Sequence, residues 1–156
     1  MDYVIAIPST GRSDIINKKT LRMLRKYDIP MNKVYVFVPK DEIQDYTRRF
    51  YVPMCRGINL IEGKKGIQSQ RNYISKFFEE DQLILEIDDD IININKLKIS
   101  KLGRQQLRVL PCLETLIYET NLIFEDAKIN CAGIYPVKNK MFMKNSTSYT
   151  LSYLTG

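Results

Sequence analysis

Three consecutive carboxylates, Asp88, Asp89 and Asp90, follow directly on the apolar run Leu83-Ile84-Leu85-Glu86-Ile87. Strand alternation sends successive side chains to opposite faces. A strand continued through the run therefore places Asp88 and Asp90 on one side, at its carboxyl end, where open α/β sheets take their ligands. Crowded negative charges repel, and a hard divalent cation with oxygen ligands relieves the repulsion. A solvated acidic turn would use the same residue types. Three carboxylates directly after a buried-type strand point instead to a metal site, with Asp88 and Asp90 as the ligands.

Two other stretches carry groups suited to anions. After Tyr3-Val4-Ile5-Ala6-Ile7 come Pro8, Ser9, Thr10, Gly11 and Arg12, which offer hydroxyls, backbone amides and a guanidinium for phosphate. An ordinary turn with a helix cap at Ser13 or Asp14 is the plainer reading of that stretch. Further on, Lys64 and Lys65 precede a helix start holding Gln68, Gln70, Arg71 and Asn72. Cations at a helix N-terminus attract anions, although the same residues also suit a solvated helix face.

The totals narrow the chemistry. The chain has 156 residues, 44% apolar and 27% charged, which suits one globular domain with a sizeable core. Its net charge of +6 fits an anionic partner but is spread without a long basic block. There is no histidine, so Ser-His-Asp and Cys-His catalysis and histidine-liganded zinc are excluded. Cys55, Cys112 and Cys131 are odd in number and far apart, the pattern of reduced thiols filling a core in a cytoplasmic protein. No apolar run is of membrane-spanning length, and Met1-Asp2-Tyr3 lacks the basic start of a signal peptide. A soluble protein without a membrane partner is expected, its chemistry drawn from carboxylates, cations, hydroxyls and amides.

The elements that must position these groups alternate regularly. Strands are expected at 3–7, 34–38, 58–61 and from 83 to the acidic run, with helices at 17–27, from Asp41 toward Phe50, and after Gly66. This rhythm predicts a mostly parallel α/β sheet flanked by helices with right-handed crossovers, and it brings the three polar strand ends to one edge. Residues 91–102 read as a loop or a short strand. A helix then runs from Pro111 to about Glu125, with Leu113, Leu116, Ile117 and Phe124 inward. Strands are expected at 130–137 and 148–154.

The order Ile5-Ala6-Ile7-Pro8-Ser9-Thr10-Gly11-Arg12, then Gly66-Ile67-Gln68-Ser69-Gln70-Arg71-Asn72, then Leu85-Glu86-Ile87-Asp88-Asp89-Asp90 resembles glycosyltransferases of the GT-A fold. In those enzymes the first strand ends in a nucleotide-binding turn, and an Arg-Asn pair precedes the Asp-x-Asp motif that holds metal and sugar nucleotide. Pro8-Ser9-Thr10-Gly11-Arg12 with Ala132-Gly133-Ile134-Tyr135-Pro136 is similar, more narrowly, to the glycosyltransferases associated with TET/JBP-type DNA base oxidation in phages and large DNA viruses.

That resemblance implies a GT-A, Rossmann-like domain over residues 1–156 that needs Mn²⁺ or Mg²⁺. It implies a nucleotide-sugar donor, a UDP-sugar first, and a hydroxymethylated pyrimidine in DNA as acceptor. Pro8, Ser9, Thr10, Arg12, Gln70, Arg71, Asp88 and Asp89 would line the donor site, and Asp88 and Asp90 would hold the metal. Family members continue further on the acceptor side, where the catalytic base usually lies, so a truncated acceptor region is expected here. Glu125 and Asp126 are the late carboxylates, and neither is assigned as base. A nucleotidyltransferase, a Toprim-like metal-dependent nuclease and a non-catalytic nucleotide-binding remnant remain the alternatives.

Overall fold

The structure, a computed structural model, describes residues 2–134, 139 and 143. The chain divides into two compact units between Ile92 and Asn93. The first contains β1 (Tyr3–Pro8), α1 (Ser13–Lys18), α2 (Thr20–Lys26), β2 (Val34–Pro39), α3 (Ile43–Phe50), β3 (Asn59–Gly63), α4 (Ile67–Phe77) and β4 (Leu83–Glu86). Its strands form one all-parallel sheet in the order β3-β2-β1-β4. The α/β sheet read from the apolar rhythm is therefore present, flanked by helices.

β1 is buried along its whole length, as a near-continuous apolar run must be when both sheet faces are covered. On one face Ala6 and Phe37 pack with Ile74 of α4, surrounded by Tyr35, Ile61, Tyr73, Phe78 and Ile84. The aromatic members meet edge to face, with Tyr35 and Phe78 ring centroids 5.0 Å apart and Phe37 and Phe77 5.2 Å apart. On the helices α1, α2 and α3, Ile16, Leu21, Leu24 and Tyr46 are fully buried. Each such side chain contributes roughly 1.5–3 kcal/mol through loss of apolar surface from water. The expected inward helical stripe at Ile67, Ile74, Phe77 and Phe78 is only partly kept. Ile74 is buried, whereas Ile67 at the first turn and Phe77 at the last are exposed.

The expected helix at 17–27 is two helices, beginning earlier at Ser13. They break at Lys19, whose ψ of −89° is not helical. The break serves Thr20, whose hydroxyl donates to the Asp88 carbonyl at 2.7 Å and accepts the Ile91 N–H at 2.9 Å. An uninterrupted helix would carry Thr20 through a different rotation. Glycine matters at one close approach. Gln70 is buried, accepts the Lys64 N–H and lies over Gly63, where a Cβ would overlap its amide.

The second unit opens with an antiparallel hairpin, β5 (Asn95–Ile99) and β6 (Gln105–Val109); β5 lies within residues 91–102, which read as a loop or a short strand. Its turn closes by the Gly103 N–H donating to the Ser100 carbonyl and the Ser100 N–H donating to the Arg104 carbonyl, with Gly103 at a φ of +74°. α5 spans Leu113–Ala127, with Cys112 rather than Pro111 at its start. Leu113 and Ile117 are buried in it, and Leu116 and Phe124 are half-buried. Residues 130–134 are not in a strand, and the rest of the expected strand at 130–137, like that at 148–154, lies outside the described residues. Core filling describes Cys55 alone, because Cys112 and Cys131 are exposed. Among the described residues no helix is long and apolar enough to cross a membrane.

Candidate functional site

The chain steps outward from β1 through β2 to β3, and α4 then returns it to the other side of β1, where β4 pairs. The loops after β1 and β4 thus leave the carboxyl edge at the point where strand order reverses. A parallel sheet opens a ligand crevice at such a point. Ser9–Arg12 comes from one side of this switch and Ile87–Asp90 from the other.

β4 ends at Glu86, and Asp89 and Asp90 occupy a turn, so strand alternation does not govern the carboxylates. The aspartate facing inward is the middle one. Asp89 is 5% exposed, whereas the Asp88 and Asp90 side chains are 41% and 43% exposed. Asp89 Oδ2 accepts the Ser9 hydroxyl at 2.6 Å, and Asp89 Oδ1 lies 3.1 Å from Arg12 Nη1. Having spent its proton on Asp89, the Ser9 hydroxyl must accept from the Tyr46 hydroxyl, 2.7 Å away. The Tyr46 oxygen accepts the Arg12 backbone N–H at 3.1 Å. A one-way hydrogen-bond chain therefore runs from the Arg12 amide through Tyr46 and Ser9 to Asp89. Burial is the main reason that the Tyr46 phenol is pushed above its ordinary pKa, which keeps it a neutral donor.

Two arginines share out the carboxylates. Arg12 Nη1 bonds Asp89 and also reaches Asp90 Oδ2 at 3.4 Å. Its pKa is raised first by the Asp89 hydrogen bond and then by the charges of Asp89 and Asp90. Arg71, from the second turn of α4, places Nη2 2.9 Å from Asp88 Oδ1. Its Nε lies 3.1 Å from Glu86 Oε1 as an ion pair without hydrogen-bond alignment. Burial raises the Glu86 pKa; Arg71 opposes this and Asp88 adds to it. The two cations balance the charge of Glu86, Asp88, Asp89 and Asp90 in part, leaving a net negative corner.

Direct contacts thus connect Ser9, Arg12, Asp89 and Asp90 across the switch, with Arg71 and Asp88 paired beside them. Pro8 is the buried last residue of β1, and Thr10 is exposed in the bend that follows. Gln70 does not join the carboxylates: its oxygen takes the Lys64 amide, and its Nε2 is buried without a hydrogen-bond partner. Lys65 pairs with Asp41 at 3.5 Å, and Lys64 lies over the Tyr73 ring, 5.2 Å from its centroid. The cap alternative at Ser13 or Asp14 is not realised. Arg12 holds the N-cap position without a side-chain bond, and Ser13 donates to Asp45 at 2.6 Å. Of the tyrosines, Tyr35 is engaged with Phe77 and Phe78, Tyr46 is buried, and Tyr51 is exposed.

Three positioning residues were not legible from sequence. Thr20 clasps the acidic turn, Tyr46 holds both ends of the turn after β1 through Ser9 and Arg12, and Glu42 accepts the Gly11 N–H at 2.6 Å. Each acts across many residues of chain, and no local pattern announces it. Tyr46→Phe keeps the ring packing but leaves Ser9 and the Arg12 amide short of a partner. A loss of roughly 1–3 kcal/mol is expected, read as a lower urea midpoint at unchanged slope.

Among the described residues no three Asp, Glu, Cys or His side chains are gathered as a ready-made metal cluster. Asp88 and Asp90 are nevertheless hard oxygen donors with accessible side chains. Mg²⁺ needs only one or two protein carboxylates when water and phosphate oxygens complete its shell. The donor set fits such a cation. No protein-family model matches the chain, and no curated protein matches it in sequence.

Proposed function

We propose that the crevice at the β1/β4 switch binds a nucleotide-sugar, a UDP-sugar first. The protein would then be a metal-dependent glycosyltransferase of GT-A type, acting on a hydroxyl acceptor, a hydroxymethylated pyrimidine in DNA. The observation that carries this reading is the meeting of Arg12 and Arg71 with Asp88, Asp89 and Asp90 at the carboxyl edge of a parallel sheet. Anion-binding and cation-binding groups side by side suit a metal diphosphate better than either ligand alone.

Asp88 and Asp90 would hold Mn²⁺ or Mg²⁺, which when bound neutralises charge on the departing diphosphate. Arg71, on the helix beside the acidic turn, and Arg12, on the turn after β1, would take phosphate oxygens through their planar forks. Asp89 holds the two loops in register rather than meeting the donor. Pro8, Ser9 and Thr10 shape the wall beside it. A target base within a duplex must be flipped out of the stack before its hydroxyl can attack the sugar.

A nuclease on the same sheet wants a further free carboxylate beside the pair. Glu62 is paired with Lys40 at 3.6 Å, and Glu42 is taken by Gly11. A nucleotidyltransferase uses the same groups but releases pyrophosphate. Incubation with Mn²⁺ and hydroxymethylated DNA, with UDP-sugars in one arm and nucleoside triphosphates in another, separates the readings: UDP release with a heavier base supports glycosyl transfer. Pyrophosphate release, or DNA cleavage, overturns it.

A further inference from the structure

From Ile91 to Leu113 the chain contains five cations, Lys96, Lys98, Lys101, Arg104 and Arg108, and no acidic residue. The hairpin gathers them. Lys96 stands opposite Arg108 and Lys98 opposite Gln106, so these four share one face of the ribbon. Lys101 and Arg104 sit at its turn. Leu97 and Leu107 pair on the other face, which separates the cationic side from the apolar one. All five cations are exposed, and none is held in an ion pair with a carboxylate among the described residues. Like charges set directly opposite on a two-stranded ribbon destabilise it. A polyanion lying along that face removes the repulsion.

We propose that the β5–β6 ribbon binds the phosphate backbone of double-stranded DNA through Lys96, Lys98 and Arg108, with Lys101 and Arg104 continuing the contact at its tip. A two-stranded antiparallel ribbon has the width of the major groove. Gln106, whose amide meets Arg108 at 3.4 Å, adds a donor and an acceptor to the same face. Leu102, 83% exposed at the tip beside Lys101, is the apolar contact that an anionic membrane would take, and phosphatidylserine vesicles test that partner against DNA. The DNA acceptor of the proposed function is the reading this extends, but the binding requires neither donor nor metal.

The test is fluorescence anisotropy of the full chain with a labelled DNA duplex, in EDTA and without nucleotide, across a salt series. Five phosphate contacts predict a slope of about −4.5 in log K against log salt, or several-hundred-fold weakening between 50 and 200 mM. Lys96→Gln/Lys98→Gln/Arg108→Gln should flatten the slope by about 3, leaving roughly ten-fold weakening over the same range. Lys96→Arg/Lys98→Arg/Arg108→Lys should keep it. Lys18→Gln/Arg22→Gln/Lys26→Gln removes equal charge from exposed positions on α1 and α2 and should leave the slope nearly intact. No duplex binding, equal flattening by both glutamine triples, or binding to phosphatidylserine vesicles in place of DNA would overturn the proposal. Because donor and metal are absent, none of these results bears on the nucleotide-sugar site.

Discussion

Asp89→Ala is expected to cost roughly 3 kcal/mol of folding stability, from two charge-assisted hydrogen bonds lost and the buried Ser9 hydroxyl proton left without an acceptor. Asp88→Asn and Asp90→Asn should each cost under about 1 kcal/mol, because their side chains are open to solvent and their ion pairs are screened. The contrast follows from burial, at 5% exposure against 41% and 43%. It also follows from the one-way chain through Ser9 and Tyr46 that ends on Asp89 and on no other carboxylate. Urea denaturation of the three variants measures it. Equal midpoints would mean that the middle aspartate is not what fastens the two loops.

Arg71→Ala should move two affinities in opposite directions. Arg71 now neutralises Asp88 at 2.9 Å, so its removal leaves that carboxylate uncompensated and should tighten binding of Mn²⁺ alone. The same change removes a guanidinium placed for the diphosphate. One charge-assisted hydrogen bond is worth about 1.5–3 kcal/mol, so UDP binding in saturating Mn²⁺ should weaken about 10- to 150-fold. Calorimetric titration of the metal alone, and then of UDP with the metal present, reads both. Weakened binding of both ligands would reduce Arg71 to a residue that merely holds α4 in place.

Much of this arrangement was legible in the sequence because apolar runs and breakers report on strands directly. Tyr3–Ile7 and Val34–Val38 read as strands and are strands. Parallel pairing followed from their alternation with helices, and it brought the three polar ends to one edge. Asp88 and Asp90 were harder to place, since pleat geometry holds only while the ladder continues and β4 ends at Glu86. Beyond that residue Thr20 shapes the turn, and Thr20 is reached only through a helix break that no local signal marks. The hairpin at 95–109 alternates in part, but Asn95, Lys96 and Lys98 have low strand propensity and hide the pattern.

The most direct measurement is a thermal-shift comparison of the wild type with Asp88→Asn/Asp90→Asn, each with UDP-sugars, with Mn²⁺, and with both. A ligand bound only by the folded state raises the midpoint by mass action, about 2.7 kcal/mol of stabilisation at one hundred times its dissociation constant. The predicted result is a clear rise for the wild type with one UDP-sugar and Mn²⁺ together, small rises with either alone, and none for the double variant. The same rise in the double variant, or no rise in the wild type with any nucleotide-sugar, would contradict a metal-linked donor site at the β1/β4 switch.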